Sequence, residues 1–152
     1  MTPIKVMVNG LPGNVSRIVA AQILQDKRFE LVPYSLTGPE IQQPDYAFES
    51  VKVELIQPDK RKSRIEKIIK SNLGFLSVDY THPAAVNSNA EFYCGCGLPF
   101  VMGTTGGDRK KLEETVVSSA IAAVIAPNMA KQIVGFQAMM AYAADTFPGL
   151  FK

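Results

Sequence analysis

The stretch that most constrains this chain is its beginning. An apolar run over 4–8 stops at the turn Asn9-Gly10-Leu11-Pro12-Gly13, and a helical pattern follows, with Val15, Ile18, Val19, Ile23 and Leu24 on one face. Strand, glycine turn and helix in that order set a helix N-terminus beside a strand end, where free backbone N–H groups and the helix dipole attract an anion. Gly10 lets the chain turn tightly, and Gly13 lets a pyrophosphate approach the backbone without meeting a Cβ. The spacing is Gly10-x-x-Gly13-x-x-Ser16 rather than the full G-x-G-x-x-G, with Ser16 where a third glycine would stand. Taken alone, such a stretch also fits an ordinary turn.

Its setting sharpens the reading. Periodicity predicts strands over 4–8, 29–36, 51–55, 74–79, 99–102 and 120–126, and helices over 14–26, 59–71, 83–94, 108–119 and 131–146. The proline-containing segment 39–50 reads as loop. Strands that alternate with helices argue for an α/β, doubly wound, mostly parallel sheet. In that architecture ligands bind beyond the carboxyl ends of the strands. Five loops rich in Gly, Thr, Ser, Asn and Pro fall at those ends, over 10–15, 35–38, 80–83, 103–107 and 127–129. Together they predict a dinucleotide crevice on one edge of the sheet.

A site built for NADH commonly carries an acid at the end of its second strand, bonding the ribose 2′-hydroxyl. Here that end is Ser35-Leu36-Thr37, without an acid. Ser35 and Thr37 can donate to a 2′-phosphate, so the reading favours NADPH over NADH; both hydroxyls can equally bond their own backbone in a turn.

Bulk composition excludes other classes. With 152 residues, 47% hydrophobic and 20% charged, the chain is long enough for one domain with a substantial core. A net charge of +2 gives no argument for nucleic acid, and no apolar run reaches the length of a membrane span. The first strand starts near Ile4, so no targeting peptide is expected before it. Cys94 and Cys96, one residue apart, do not make a metal site and read as buried or half-buried thiols of a reducing compartment. The basic run Lys60, Arg61, Lys62, Arg64, Lys67 and Lys70 reads as a solvated helix face, since no aromatic platform accompanies it. His82, the only histidine, is a candidate cofactor contact, or a helix-start residue with a satisfied imidazole. Lys131 is a crevice-side cation or a solvent-facing one. Met129, Met139 and Met140 read as core or interface filler.

The order of motifs resembles the N-terminal, cofactor-binding domain of dihydrodipicolinate reductase, more the plant and cyanobacterial branch than the enterobacterial one. The resemblance rests on Val8-Asn9-Gly10-Leu11-Pro12-Gly13-Asn14-Val15, Val78-Asp79-Tyr80-Thr81-His82-Pro83, Gly103-Thr104-Thr105-Gly106 and Ala126-Pro127-Asn128-Met129, and covers nearly all of the chain. It implies a Rossmann-type domain over 1–152 of an enzyme that reduces 4-hydroxy-tetrahydrodipicolinate to tetrahydrodipicolinate in lysine biosynthesis, with hydride from NADPH or NADH. It implies that Gly10, Leu11, Pro12, Gly13, Asn14 and Val15 hold the pyrophosphate. Thr37 then lies near the adenosine ribose, Thr81 and His82 beside the cofactor, and Gly103, Thr104, Thr105, Ala126, Pro127, Asn128 and Met129 around the nicotinamide.

The family's substrate domain carries a His-rich motif followed by Lys, and this sequence has no match to it. No catalytic residue is therefore assigned, and the piece is expected to bind cofactor without turnover. The last helix would lead to that substrate domain, and apolar surface is expected to lie uncovered where later family segments return. The resemblance further implies a cyclic dicarboxylate substrate and a homo-oligomer for the full-length enzyme, in the cytoplasm or, in a photosynthetic eukaryote, the plastid stroma. The alternative is a stand-alone dinucleotide-binding or sensing module.

Overall fold

The computed structural model describes residues 2–71, 74–126 and 128–150. The apolar run at the start becomes β1 (Ile4–Asn9), an interior strand of a five-stranded parallel sheet. Helix α1 (Asn14–Gln25) follows, and β2 (Phe29–Leu31) returns beside β1. The chain then leaves this sheet. β3 (Tyr34–Leu36), β4 (Asp45–Phe48) and β5 (Val51–Ile56) form a separate three-stranded sheet in the order β3-β5-β4. Helix α2 (Arg61–Ser71) carries the chain back across to β6 (Phe75–Asp79), on the other side of β1. A short 3₁₀ turn (Pro83–Ala85), α3 (Val86–Gly95), β7 (Phe100–Met102), α4 (Arg109–Val117) and β8 (Ala123–Ile125) complete the sheet, whose order is β2-β1-β6-β7-β8. Helix α5 (Lys131–Thr146) comes last.

Around β1 both faces of the large sheet are covered, whereas β8 leaves Val124 and Ile125 exposed at 55% and 39%. Met7, Phe75, Phe100 and Met102 pack against Ile65 and Ile68 of α2, Ala90 and Tyr93 of α3, and Leu112 of α4. Val6, Val8 and Leu31 pack on the opposite side with Ala20 and Ile23 of α1 and with Phe48, Val53 and Leu55 of the small sheet. Strands sandwiched this way carry apolar side chains on both faces, which is why β1 shows no alternation in sequence.

Three expectations are corrected here. The predicted strand over 29–36 is two strands in two sheets, broken at Pro33, which has no N–H to give to a ladder. Its carbonyl instead accepts from Glu54 N–H at 3.0 Å, starting the small sheet. The predicted loop over 39–50 contains β4, an antiparallel partner of β5. Phe48 pairs with Val51 across the two-residue turn Glu49-Ser50, and Glu49 takes a positive φ of 49°, as such turns demand. Third, Met129, Met139 and Met140 are exposed rather than core. α5 displays Phe136, Met139 and Tyr142 at 59%, 68% and 70% exposure, and no buried residue belongs to it.

Candidate functional site

The direction of winding changes between β1 and β6: α1 leads from β1 to β2 on one side, and the later strands are added on the other. A crevice opens at the carboxyl ends of strands where the order reverses in this way. Asn9 and Asp79 sit level with each other at those two ends, and both are fully buried.

Beyond Asn9 the chain turns at Gly10, whose φ is 98°. A Cβ there would run into the Tyr80 carbonyl and come within 2.8 Å of Ser16 Oγ, so only glycine fits. Gly13 N–H donates to Gly10 O at 2.8 Å and closes the loop. Ser16, in the place of the third glycine, lies 3.1 Å from Asn9 O and 3.2 Å from Tyr80 O, donating between them. It thereby ties the first turn of α1 to both strand ends. No side chain caps α1, and its first turn holds no acid, so the positive end of the helix is open toward the loop.

Asp79 organises the second half of the site. Its Oδ1 accepts from Thr81 N–H (3.1 Å), Thr81 Oγ1 (2.9 Å) and Thr104 Oγ1 (2.6 Å). Its Oδ2 accepts from Tyr93 Oη (2.7 Å) and Asn89 Nδ2 (3.0 Å). A buried carboxylate is tolerated when donors surround it in this way. Asn9 extends the network, its Nδ2 donating to Tyr93 Oη at 2.9 Å and its Oδ1 accepting from Leu36 N–H at 2.9 Å. Burial, reinforced by the neighbouring Asp79 charge, holds the Tyr93 phenol well above its ordinary pKa, so it stays a donor. The loops after β1, β3, β6 and β7 are thus fastened to one another through side chains.

The loops after β1, β3 and β6 border a cavity of about 1030 Å³, at the upper end of the range for small-molecule sites of about 300–1,000 Å³. Of the predicted contacts, Gly10, Leu11, Pro12, Gly13, Thr37, Thr81 and His82 line it. His82 Nδ1 accepts from Ala84 N–H at 3.2 Å, capping the 3₁₀ turn, so the ring proton is on Nε2. The capping role foreseen for His82 and its position on the cavity are therefore both present.

Other predicted residues lie elsewhere. Ser35 is fully buried beneath the glycine loop, where its Oγ accepts from Leu11 N–H at 3.1 Å; it supports the loop and does not line the cavity. Thr37 does line the cavity, but its Oγ1 is directed to Ile56 O at 3.5 Å. Asn14 and Val15 are exposed on the first turn of α1. Gly103 is buried against the Tyr80 ring, and Thr104 is committed to Asp79. Thr105 is exposed. Ala126, Asn128 and Met129 follow β8 outside the cavity, and Met129 reaches it only through a 4.0 Å contact with Tyr80 Oη. Pro127 lies outside the described residues.

Sequence reasoning quoted Asn9 and Asp79 within motifs without giving them a role, and missed Asn89 and Tyr93, which complete the framework, and two charged residues of the lining, Glu40 and Arg61. The acid absent from 35–37 stands three residues past Thr37, with its carboxylate folded over Gly38. Among the described residues no group of three or more His, Cys, Asp or Glu side chains is placed to hold a metal ion, and no helix is long and apolar enough to cross a membrane.

Comparison with known proteins decides the family. The family model described as dihydrodipicolinate reductase, N-terminus, matches residues 4–129. This chain belongs to the dihydrodipicolinate reductase family. The chloroplastic 4-hydroxy-tetrahydrodipicolinate reductase 1 of Arabidopsis thaliana is 41% identical over 151 residues, covering 98% of this chain and 43% of the relative. The probable chloroplastic reductase 1 of Oryza sativa subsp. japonica is 40% identical over 147 residues, 97% of this chain and again 43% of the relative. Both likenesses agree with the plant-like branch read from the motifs. The chain spans less than half the length of these relatives. Among solved structures, the dipicolinate-bound dihydrodipicolinate reductase from Paenisporosarcina sp. TG-14 matches with a TM-score of 0.70 at 20% identity, over 93% of this chain and 54% of that one, a likeness of fold.

Proposed function

We propose that this chain is the nicotinamide-dinucleotide-binding part of a reductase that converts 4-hydroxy-tetrahydrodipicolinate to tetrahydrodipicolinate in lysine biosynthesis. The observation that carries the reading is the crevice between β1 and β6. There the uncapped end of α1 and the Gly10–Gly13 turn face a cavity of dinucleotide size. The donor set suits an anion: backbone N–H groups at a helix start, with a glycine where a Cβ would block the turn.

In this reading Gly10, Leu11, Pro12 and Gly13, with the first turn of α1 at Asn14 and Val15, take the pyrophosphate. Thr37 borders the adenosine ribose, and Thr81 with His82 Nε2–H flank the bridge between the two nucleotide halves. Tyr80, Gly103 and Thr104 form the floor toward the nicotinamide, and Thr105, Ala126, Asn128 and Met129 its outer border. The bound dinucleotide supplies a hydride; the protein binds and orients it. NADPH is the favoured cofactor over NADH.

The whole of 1–152 is one dinucleotide-binding domain, and α5 leads toward a substrate domain that would grip the cyclic dicarboxylate. By itself the chain binds cofactor without turnover, because its only histidine serves as a helix cap and the family's His-rich motif with Lys has no match here. The full-length protein is a homo-oligomer of the cytoplasm or plastid stroma. Nucleic acid and membrane are not partners in this reading.

Calorimetric titration of the chain with NADPH, then with NADH at the same ionic strength, tests the proposal. Saturable binding of either is expected. A folded chain that takes up neither at millimolar concentration would sink the cofactor reading.

A further inference from the structure

Arg61 stands apart from the other cations of α2. It lies in the first turn, where a positive charge opposes the helix dipole. Its guanidinium carbon sits 4.6 Å from the Phe92 ring centroid, and Nη1 donates to Asn89 Oδ1 at 3.3 Å. Stacking on Phe92 and the bond to Asn89 fix the plane of the fork. Among the described residues no carboxylate pairs with it, whereas Arg64, one turn on, is paired with Glu54 through Nε at 2.7 Å. An oriented, acid-free guanidinium with most of its five N–H donors unspent is built for an incoming anion. It lines the same cavity as Thr37, Pro58 and Ser88, on the side of the β3 end. In a crevice of this type the ribose of the adenosine half lies past the second strand, beside the pyrophosphate loop.

We propose that Arg61 is the specificity-determining residue for the adenosine 2′-phosphate, gripping it from the start of α2. The inference rests on the dinucleotide reading above and deepens it. Glu40, the carboxylate on the same lining, opposes it: it repels the 2′-phosphate and suits the free 2′-hydroxyl.

The test uses adenosine 2′,5′-bisphosphate and adenosine 5′-monophosphate as probes, titrated by calorimetry into the wild-type chain and into Arg61→Gln, Arg61→Lys and Glu40→Gln. Loss of a charged phosphate contact predicts that Arg61→Gln weakens the bisphosphate about 10- to 100-fold and the monophosphate less than about threefold. Arg61→Lys restores part of the bisphosphate affinity, and Glu40→Gln strengthens it. Equal loss of both probes would show that Arg61 holds the adenine or the pyrophosphate instead, and would overturn the assignment, as would no change in either. A wild-type chain that binds NADPH and NADH while Arg61→Gln keeps its preference defeats this inference alone. A wild-type chain that binds neither dinucleotide defeats the cofactor reading and this inference with it.

Discussion

Tyr93 and Asp79 meet entirely out of water: the phenol donates to Asp79 Oδ2 at 2.7 Å, and neither side chain has any exposed surface. One hydroxyl from α3 thus helps to solvate a carboxylate at the end of β6. The same hydroxyl accepts from Asn9 at the end of β1. The two strands that frame the crevice are held in step through a residue that touches neither loop.

Asp79→Asn keeps the shape and removes the charge that five donors address. Two or more of those donors would lose their acceptor or face an amide N–H. We expect a loss of about 2–4 kcal/mol in urea unfolding, from charged hydrogen bonds worth about 1.5–3 kcal/mol each and the groups left unsatisfied. The thermal midpoint should fall by several degrees. A midpoint unchanged from wild type would contradict the network.

Tyr93 also gives the fold a pH dependence on the alkaline side. A free tyrosine titrates near pH 10, and the buried phenol titrates well above that, by desolvation first and the Asp79 charge second. Below pH 10 both folded and unfolded chains keep the proton, so the contribution is fully present. Above pH 10 the unfolded chain releases it and the folded chain does not, so stability falls toward the folded pKa. Tyr93→Phe, less stable at pH 8, should show a shallower decline between pH 10 and 11. Parallel declines in the two proteins would refute the assignment.

Ser77 presents the opposite case. Its hydroxyl is buried on β6 and, among the described residues, makes no hydrogen bond. Replacing it with Ala removes an unsatisfied donor, so Ser77→Ala is expected to be neutral or to stabilise by up to about 1 kcal/mol in denaturant titration. A loss greater than about 1 kcal/mol would reveal a partner for the hydroxyl.

Two glycines with positive φ separate strain from collision. Gly97, at φ 67°, has open space where a Cβ would go, while Gly10, at φ 98°, meets Tyr80 and Ser16. Gly97→Ala should lose about 1–2 kcal/mol from backbone conformation alone. Gly10→Ala should lose more than about 3 kcal/mol, because crowding adds to strain. Equal losses by urea unfolding would show that the loop yields.

Apolar residues of α4 and α5 should behave differently under the same treatment. Leu112 is 4% exposed and Phe136 is 59% exposed. Leu112→Ala should cost about 2–5 kcal/mol, and Phe136→Ser less than about 0.5 kcal/mol. A large loss at Phe136 would mean that α5 packs in solution on a surface it leaves uncovered here.

The alternation of elements was legible because buried strands and amphipathic helices write different periods. The small sheet was not. Pro33 marked the break, but the apolar residues on either side of it read as one run. β4 was hidden by Pro39, Pro44 and the polar residues between them, although Tyr46 and Phe48 alternate as strand residues do. The glycine loop was legible from its spacing, and Thr81 and His82 from their motif. Arg61 was grouped with its charged neighbours, yet it lies four and seven positions before the buried Ile65 and Ile68, so the helical period already put it on the inner face. Asn9 and Asp79 carried a weaker signal: polar residues closing apolar strands. Their burial came from the loops folding over them, which no local pattern records.

The small sheet inserted between β2 and α2 has a consequence for how such a domain can diverge. The Gly10–Gly13 turn, proposed to hold the pyrophosphate, is tied to β1 and β6, whereas the residue proposed to read the ribose starts a helix that hangs from β5. Changes in the exposed connection between β5 and that helix, over 57–60, can re-aim the helix and leave the turn where it is, since such connections absorb insertions at little expense. Descendants of one sequence can therefore trade one dinucleotide for the other without rebuilding the part that holds what the two have in common.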